Sequence, residues 1–306
     1  MMKRREFVTR SVGVGLLGAV APMFGGLDTL ASQPAVQGNY DLAAVRGGTP
    51  PQMFDKAMEA IGGMGRFVKQ GQRVLIKPNI GWDTPPERAA NTNPDLVGRM
   101  VKAAFEAGAS DVFVFDHTCD QWDRAYRNSG IEAAVRENGG TIVPGNNERN
   151  YREVSIPNAK ILKTTKVHEM VLNTDVFINV PVLKHHGSTT VTLAIKNLMG
   201  CVWDRRFYHA NNLSQCIADF LAFKKPDLNV IDGYRMMTRN GPRGVSVADV
   251  VDLGALVAGS DIVAVDAAAT LMFGSQPNDI AHIRIAEEMG FGTTNLEQLS
   301  INRIRI

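Results

Sequence analysis

Short apolar runs alternate with helical patterns along most of the chain, and this alternation predicts an α/β fold. The helical patterns repeat their apolar residues every three or four positions, as at 94–107 and 213–223. Asn93 is the predicted N-cap of the first of these helices, with Pro94 at its first position. The apolar runs are rich in Val, Ile, Leu and Phe, and their length is typical of buried parallel strands: 74–76, 111–115, 176–183 and 228–231. We therefore expect a mostly parallel open sheet with helices on both faces.

The stretch 175–202 combines a predicted strand with a predicted helix. The strand should end near Pro181, because proline cannot donate a hydrogen bond to a sheet. The pattern that follows predicts a helix that begins at Ser188 or Thr189 and ends near Gly200. Polar residues would then occupy the loop between the two elements.

These polar residues predict a binding site for a small anionic ligand. In an open α/β sheet, ligands bind outside the carboxyl ends of the strands, and a helix N-terminus there offers free N–H groups. Lys184 and His186 would lie in the loop, and Thr189 and Lys196 on the polar face of the helix. The alternative is that both lysines are solvated and the histidine is an ordinary loop residue.

Other predicted strands also end in polar residues. Lys77 and Asn79 follow the first strand, Asp116 and His117 follow the next, and Asp232 follows the strand at 228–231. Because parallel strands share one carboxyl edge, we expect these residues to meet at the same hollow, although Pro and Asn are also ordinary turn residues. A divalent metal is a candidate cofactor there, with these candidate ligands: Asp116, Asp232 and His186.

Two further features bear on this site. Residues 203–209 are dense in hydrogen-bonding groups, and we expect a loop that closes over the site with Arg205, Arg206 and His209; the alternative is a set of surface charges. Asp266 lies within an apolar helix that begins after Asp261. Because an unpaired buried carboxylate is unfavourable, we expect a lysine or arginine partner for Asp266.

Composition narrows the functional class. The chain has 306 residues and a net charge of +2, so there is no electrostatic case for a nucleic-acid partner. Its three cysteines, Cys119, Cys201 and Cys216, contain no C-x-x-C pair and offer no ligand pattern for an iron–sulfur cluster. We expect buried thiols, with a Cys201–Cys216 disulfide as the alternative.

The N-terminus reads as a targeting signal. Arg4 and Arg5 precede a mildly apolar segment and a small-residue cleavage site at 29–31, which resembles a twin-arginine signal peptide over residues 1–31. This predicts the twin-arginine export machinery as a partner and a periplasmic or otherwise exported protein. A retained signal anchor is the alternative, and no later stretch is long and apolar enough to span a membrane.

The remaining chain divides into a linker and a folded region. Residues 32–51 are rich in Gly, Pro, Ala and Gln and read as a linker. Residues 52–306 would form the α/β domain, with two lobes, about 52–150 and 151–306, as the alternative.

Seven motifs occur in order between Val74 and Gly274: K-P-N, T-N-P-x-L-V, I-N-V-P-x-L-K-x-H, A-x-K-N-L-M-G, D-G, G-P-x-G and G-S-D-x-V-A-V-D-A. This set resembles the domain-of-unknown-function family 362 (DUF362). Some members carry ferredoxin-type cysteine motifs, which this chain lacks, and the family has no settled activity to transfer. Carried over by position, its polar motif residues are Lys77, Asn79, Lys184, His186, Lys196, Asn197, Asp232, Asp261 and Asp266.

A second resemblance concerns lactate racemase-type enzymes. Those enzymes place a His and a Lys ten positions apart after a similar strand, and the Lys carries a nickel-pincer cofactor. His186 and Lys196 have this spacing, with His209 as a further candidate ligand, but the Gly-rich segment between the two residues is absent here.

We therefore expect an exported enzyme that binds a small anionic substrate or cofactor in a crevice of lysine, histidine and aspartate side chains. A non-catalytic periplasmic ligand-binding or assembly factor is the alternative, and racemase-like chemistry is a third reading. The candidate catalytic residues are His186, Lys196, Lys184 and His117. The candidate ligand-binding residues are Lys77, Asn79, Asn197, Thr189, Arg205 and His209.

Overall fold

The computed structural model describes residues 38–306, and most of its strands belong to one large sheet. In chain order the strands are β1 (Leu42–Arg46), β2 (Arg73–Pro78), β3 (Asp111–Val114), β4 (Thr141–Ile142), β5 (Tyr151–Ser155), β6 (Thr164–His168), β7 (Val176–Val180), β8 (Val182–His186), β9 (Thr190–Thr192), β10 (Leu228–Met237), β11 (Val250–Gly259) and β12 (Ile301–Arg305). β5 and β6 form a separate antiparallel pair.

The α-helices of the same residues lie between these strands. In chain order they are α1 (Pro50–Ala60), α2 (Pro94–Glu106), α3 (Trp122–Asn128), α4 (Ile131–Glu137), α5 (Glu169–Asn173), α6 (Ala194–Asn197), α7 (Arg205–Ala210), α8 (Leu213–Asp219), α9 (Ile262–Phe273) and α10 (Ala281–Glu288).

The large sheet is mixed but mostly parallel, as predicted. Its strand order is β12-β1-β11-β10-β7-β2-β3-β4, and the pairs from β10 to β4 are all parallel. β11 is antiparallel to both β1 and β10. Strands from before and after residue 150 belong to this one sheet. Within the described residues, the large sheet therefore continues across the boundary of the two-lobe alternative.

Both faces of the sheet are buried. Alternate residues of β1 belong to different cores: Leu42 and Ala44 face one side, and Ala43 and Val45 face the other. The first core includes apolar residues of α8, α9 and α10, and the second includes those of α1 to α4. Coverage on both faces explains why the central strands read as continuous apolar runs.

The prediction of a linker at 32–51 is wrong for the part of that range that the structure describes, 38–51. Leu42–Arg46 forms β1, which pairs with β11 and β12, and Thr49 caps α1. These partners lie more than two hundred positions away in the chain, so a local composition of Ala, Gly and Pro did not reveal the strand. The predicted signal peptide, 1–31, lies outside the described residues.

The predicted strand–loop–helix at 175–202 is also wrong in its second half. The chain continues past Pro181 into β8, which pairs with β10 and with β9, so Lys184 lies in a strand rather than in a loop. Thr189 caps no helix, and α6 begins only at Ala194. Pairing with β9 and β10 overrode the helical spacing that the sequence shows.

The end of β10 also differs from prediction, whereas two helix caps agree. β10 continues five residues beyond Asp232, to Met237, through an irregular pairing near Gly233. Asn93 and Asp261 cap α2 and α9 through their side-chain oxygens, as the patterns predicted. Among residues 38–306, no helix has the length and apolarity needed to cross a bilayer.

Candidate functional site

A cavity of about 480 Å³ opens where β2, β3, β8, α6 and α7 meet. Its lining includes nine of the residues that the sequence predicted: Asn79, Asp116, His117, Lys184, His186, Lys196, Asn197, Arg205 and His209. Lys77 lies directly behind Asp116. The predicted meeting of polar side chains at one hollow is therefore present in the structure, although Thr189 and Asp232 do not line it.

The strand geometry of β8 explains why two cationic candidates share this cavity. Lys184 and His186 are two positions apart, so their side chains leave the same face of the strand. Thr192 of β9 pairs opposite Lys184 and also lines the cavity. The hydroxyl of Thr192 is buried and has no hydrogen-bond partner among the described residues.

Lys77 and Asp116 form a buried ion pair at the base of the cavity. Lys77 Nζ lies 2.8 Å from Asp116 Oδ1 and also donates to Asn197 Oδ1 at 3.1 Å. Its remaining contact is with the carbonyl of Pro78 at 3.0 Å, and Asp116 Oδ2 accepts the N–H of Ile80 at 2.7 Å. Lys77 is fully partnered, so it supports the site rather than offering a free charge to a ligand.

Gly200 allows this ion pair to pack against the backbone. A Cβ at this position would lie 1.9 Å from Asp116 Oδ1 and 2.6 Å from Lys77 Nζ. The carbonyl of Gly200 also accepts the N–H of His117 at 3.1 Å. Position 200 therefore requires glycine because the ion pair packs closely against its backbone. The sequence predicted that Gly200 ends a helix, but it lies inside the 3-10 helix Leu198–Cys201.

A chain of buried amides fixes the floor of the cavity. Asn197 Oδ1 accepts from Asn79 Nδ2 at 3.0 Å, and Asn197 Nδ2 donates to Asn179 Oδ1 at 2.9 Å. Asn79 Oδ1 in turn accepts from Lys184 Nζ at 2.8 Å. Lys184 also donates to the carbonyl of Ala90. Each amide is held on both sides, so the network gives the floor one arrangement.

Lys196 differs from Lys77 and Lys184 because no strong acceptor among the described residues contacts its amine. Its side chain is buried, with 8% of its surface exposed, and the nearest acceptor of Nζ is the thioether of Met199 at 3.7 Å. Burial lowers the pKa of Lys196 to about 8 and that of Lys184 to about 7. An amine in this state can exchange a proton near neutral pH.

His186 is held neutral beside Lys196. Its Nδ1 accepts the backbone N–H of Ser188 at 3.1 Å, which leaves the hydrogen of the neutral ring on Nε2. Burial, followed by the charges of Lys196 and Lys184, lowers the pKa of His186 to about 2. The ring therefore contributes an uncharged N–H donor at neutral pH.

The mouth of the cavity is formed by α7 and by the loop after β3. Arg205 donates to the carbonyls of His117 and Thr118 at 2.9 and 2.7 Å, and thereby holds this loop. His117 Nδ1 lies 2.9 Å from the carbonyl of Val202, its ring stacks on Trp203, and burial lowers its pKa. The predicted closing loop is thus a short helix, which also brings His209 to the cavity.

The N-terminus of α6 is not the anion site that the sequence predicted. Asp266 accepts the N–H groups of Ala194 and Ile195 at 2.6 and 3.0 Å, so these donors are already occupied. The expected lysine or arginine partner of Asp266 is replaced by two backbone donors, and burial raises the pKa of Asp266 to about 7. Asp266 instead fixes the helix that carries Lys196.

The three predicted metal ligands do not converge. Asp116 is paired with Lys77, and Asp232 accepts the N–H groups of Asn93 and Tyr234 at 2.7 and 3.1 Å, where it supports the start of α2. No group of three His, Cys, Asp or Glu side chains that could hold a metal occurs among residues 38–306. The cavity therefore offers lysine and histidine nitrogens without a cluster of carboxylates.

The lining residues that were not identified as site residues from the sequence include an aromatic ring and a thiol. Trp82 and Cys119 both contribute to the cavity, Trp82 from the loop after β2 and Cys119 from the loop after β3. Cys119 is exposed, whereas Cys201 and Cys216 are buried, and all three thiols are free, so the alternative disulfide does not form. Their position after two parallel strands was the available signal.

Comparison with known proteins gives a thylakoid-associated relative and distant structural neighbours. The chain is 29% identical over 255 residues to the thylakoid-associated protein sll1697 of Synechocystis sp.. This alignment covers 78% of this chain and 75% of that protein. The lactate racemase apoprotein of Thermoanaerobacterium thermosaccharolyticum aligns with a TM-score of 0.44 and 11% identity, over 84% of this chain and 58% of that one.

A second solved structure, of a protein from Thermotoga maritima, aligns with a TM-score of 0.37 and 10% identity, over 61% of this chain and 51% of that one. This chain thus spans little more than half the length of either solved structure. The model of the family described as "Domain of unknown function (DUF362)" matches residues 74–271, which include every residue of the cavity floor. The chain belongs to the DUF362 family.

Proposed function

We propose that this protein is an enzyme that binds a small anionic substrate in the cavity and transfers a proton through Lys196. The observation that carries the proposal is the Lys196 amine, which lines the cavity, is largely buried and has no carboxylate partner among the described residues. A buried amine without a counter-ion is unfavourable for the folded protein, and such groups are typical of functional sites.

The charge balance of the cavity favours an anion. Asp116 contributes the cavity's carboxylate, and Lys77 neutralises it at 2.8 Å. Lys184, Lys196, Arg205 and Arg206 then remain as basic groups around the same space. Low-dielectric walls concentrate their field, so a carboxylate or phosphate group would be attracted. The volume of about 480 Å³ is suited to a small metabolite.

The neighbouring groups suit proton transfer. With a pKa of about 8, Lys196 is present in both its amine and ammonium forms near neutral pH, as a general base and acid requires. The neutral ring of His186 offers an N–H to negative charge that develops on the substrate. Proton removal beside a carboxylate is a reaction of this class, and racemase or epimerase chemistry would be one example.

Solvent-exchange measurements would test this proposal. The protein is incubated in deuterium oxide with a panel of small hydroxy- and oxo-carboxylates, and deuterium entering the carbon beside the carboxylate is followed by NMR. We expect Lys196→Met to slow the exchange by about 10²- to 10⁴-fold, as loss of a general base does. Lys102→Met removes an exposed lysine on α2 and should leave the rate unchanged.

Calorimetric titration of the same panel separates the enzyme from the alternative. A non-catalytic ligand-binding protein would bind one of these anions without any exchange, and Lys196→Arg would keep that affinity. Absence of both binding and exchange across the whole panel would overturn the proposal.

We also propose export through the twin-arginine route, which rests on the sequence of residues 1–31. N-terminal sequencing of the protein recovered from its host would find a start near residue 32 if the signal is removed. A mature chain that begins at Met1 would contradict cleavage.

A further inference from the structure

Cys119 differs from the other two cysteines in both exposure and surroundings. It is exposed and lines the cavity, whereas Cys201 and Cys216 are fully buried in the first core. Among the three cysteines of the described residues, Cys119 is therefore the one whose thiol reagents can reach, and it lies at the proposed anion site.

The sulfur of Cys119 is held in a cationic setting. Arg205 Nη1 lies 3.4 Å from Cys119 Sγ, and the same guanidinium is fixed by the carbonyls of His117 and Thr118. The backbone N–H of Cys119 donates to Gly81 at 2.8 Å, which fixes the residue on the other side. The thiolate is the reactive form of a cysteine, and here the positive charge of a guanidinium lies beside the sulfur that would react.

Two buried polar groups in the same cavity lack partners and indicate room for a polar ligand beside the sulfur. Within residues 38–306, the hydroxyl of Thr192, whose residue is 4% exposed, has no hydrogen bond, and Lys196 Nζ contacts only the thioether of Met199 at 3.7 Å. Cys119, Thr192 and Lys196 line the same cavity, so the sulfur, the hydroxyl and the amine face one common space.

We propose that Cys119 is a modification site that reacts selectively with small disulfides bearing carboxylate groups. The thiolate of Cys119 attacks one sulfur of the disulfide, whose S–S bond breaks as the new S–S bond forms. The other half leaves as a thiolate with the electron pair and takes a proton from water. Cys119 is oxidised, the small disulfide is the oxidant, and the attached carboxylates lie among the lysines of the cavity.

The preference for anionic reagents can be measured with two chromogenic disulfides. Dithiobis(nitrobenzoate) carries a carboxylate on each ring, whereas dithiodipyridine is neutral. The rate constant for the anionic reagent is divided by that for the neutral reagent, and this value is divided by the same value for free cysteine. We expect this normalised ratio to be about ten at low salt and to fall as salt is added. Lys196→Met should lower this ratio, and Lys196→Arg should retain it.

Peptide mapping of the labelled wild-type protein locates the reaction without relying on a variant. Cys201 and Cys216 are the internal controls, and we expect the first label on Cys119; Cys119→Ser should then abolish the fast phase. A normalised ratio of one, or first labelling of Cys201 or Cys216, would overturn the proposal. These rates need no knowledge of the substrate, so they stand or fall separately from the proposed enzymatic activity.

Discussion

The carboxylate of Asp266 accepts a hydrogen bond of 2.6 Å from the backbone N–H of Ala194, and this contact joins the centre of α9 to the first residue of α6. α6 has only four residues and carries Lys196 and Asn197. A helix this short is not stable by itself, so the buried carboxylate holds the segment that presents the candidate catalytic amine.

Replacing Asp266 by Asn should therefore impair both folding stability and the site. The amide keeps the shape of the side chain but turns one acceptor into a donor that faces a backbone N–H. We expect a loss of roughly 1–3 kcal/mol in the free energy of unfolding, measured by urea denaturation. Anion affinity should fall as well, because α6 loses one of its two anchors. Unchanged stability would show that the two hydrogen bonds contribute little.

Gly200→Ala should disrupt the buried ion pair beneath the cavity. The new Cβ would lie 1.9 Å from Asp116 Oδ1, so Lys77 and Asp116 would have to separate or the backbone to move. We expect a destabilisation of about 1–3 kcal/mol or more, measured by thermal and urea unfolding.

Gly65→Ala is the matched control for this substitution. A Cβ at Gly65 meets no atom within 4 Å, and its backbone is not in the left-handed region. This variant should be as stable as the wild type. Equal stability of Gly65→Ala and Gly200→Ala would show that the close approach at Gly200 is readily relieved.

His282 should contribute to acid sensitivity of the fold. It is buried in α10, its Nε2 has no hydrogen-bond partner among residues 38–306, and burial lowers its pKa from 6.5 to about 3. Between these values the unfolded chain binds one more proton than the folded protein, so stability is lost as the pH falls below about 6.5.

The slope of unfolding free energy against pH would detect this proton. For His282→Leu we expect a slope that is smaller by about 1.4 kcal/mol per pH unit between roughly pH 4 and 6. Urea unfolding at a series of pH values measures it. Parallel slopes for the variant and the wild type would mean that His282 is protonated equally in both states.

Anion affinity should decrease above neutral pH. The pKa of Lys196 is about 8, and an anion binds its ammonium form, so raising the pH removes the attractive charge. Once the pH exceeds that pKa, we expect the affinity to fall by up to about tenfold per pH unit. Calorimetric titration from neutral to alkaline pH would measure this decrease.

Lys196→Arg supplies the comparison for this pH profile, because guanidinium keeps its charge throughout the range. Its affinity should decline less steeply than that of the wild type, and only through Lys184, whose pKa is about 7. Superimposable profiles would show that Lys196 does not carry the charge that the anion recognises.

The sequence predicted the fold class and most of the cavity lining because both depend on local patterns. Apolar runs identified β2, β3, β7 and the first half of β10, and parallel strands necessarily end at a common edge. Polar residues after those strands therefore had to converge. The helix caps at Asn93 and Asp261 were readable for the same reason, since a cap depends on neighbours within a few positions.

The sequence by itself thus determined an α/β sheet with lysine, histidine and aspartate gathered at one edge. Only the tertiary structure decided which of these groups remain free. Lys77 is neutralised by Asp116, the first N–H groups of α6 are taken by Asp266, and Lys196 has no counter-ion among residues 38–306. The two contacts join residues about 40 and 72 positions apart, and local periodicity carries no information about such pairs or about a counter-ion that the described residues do not supply.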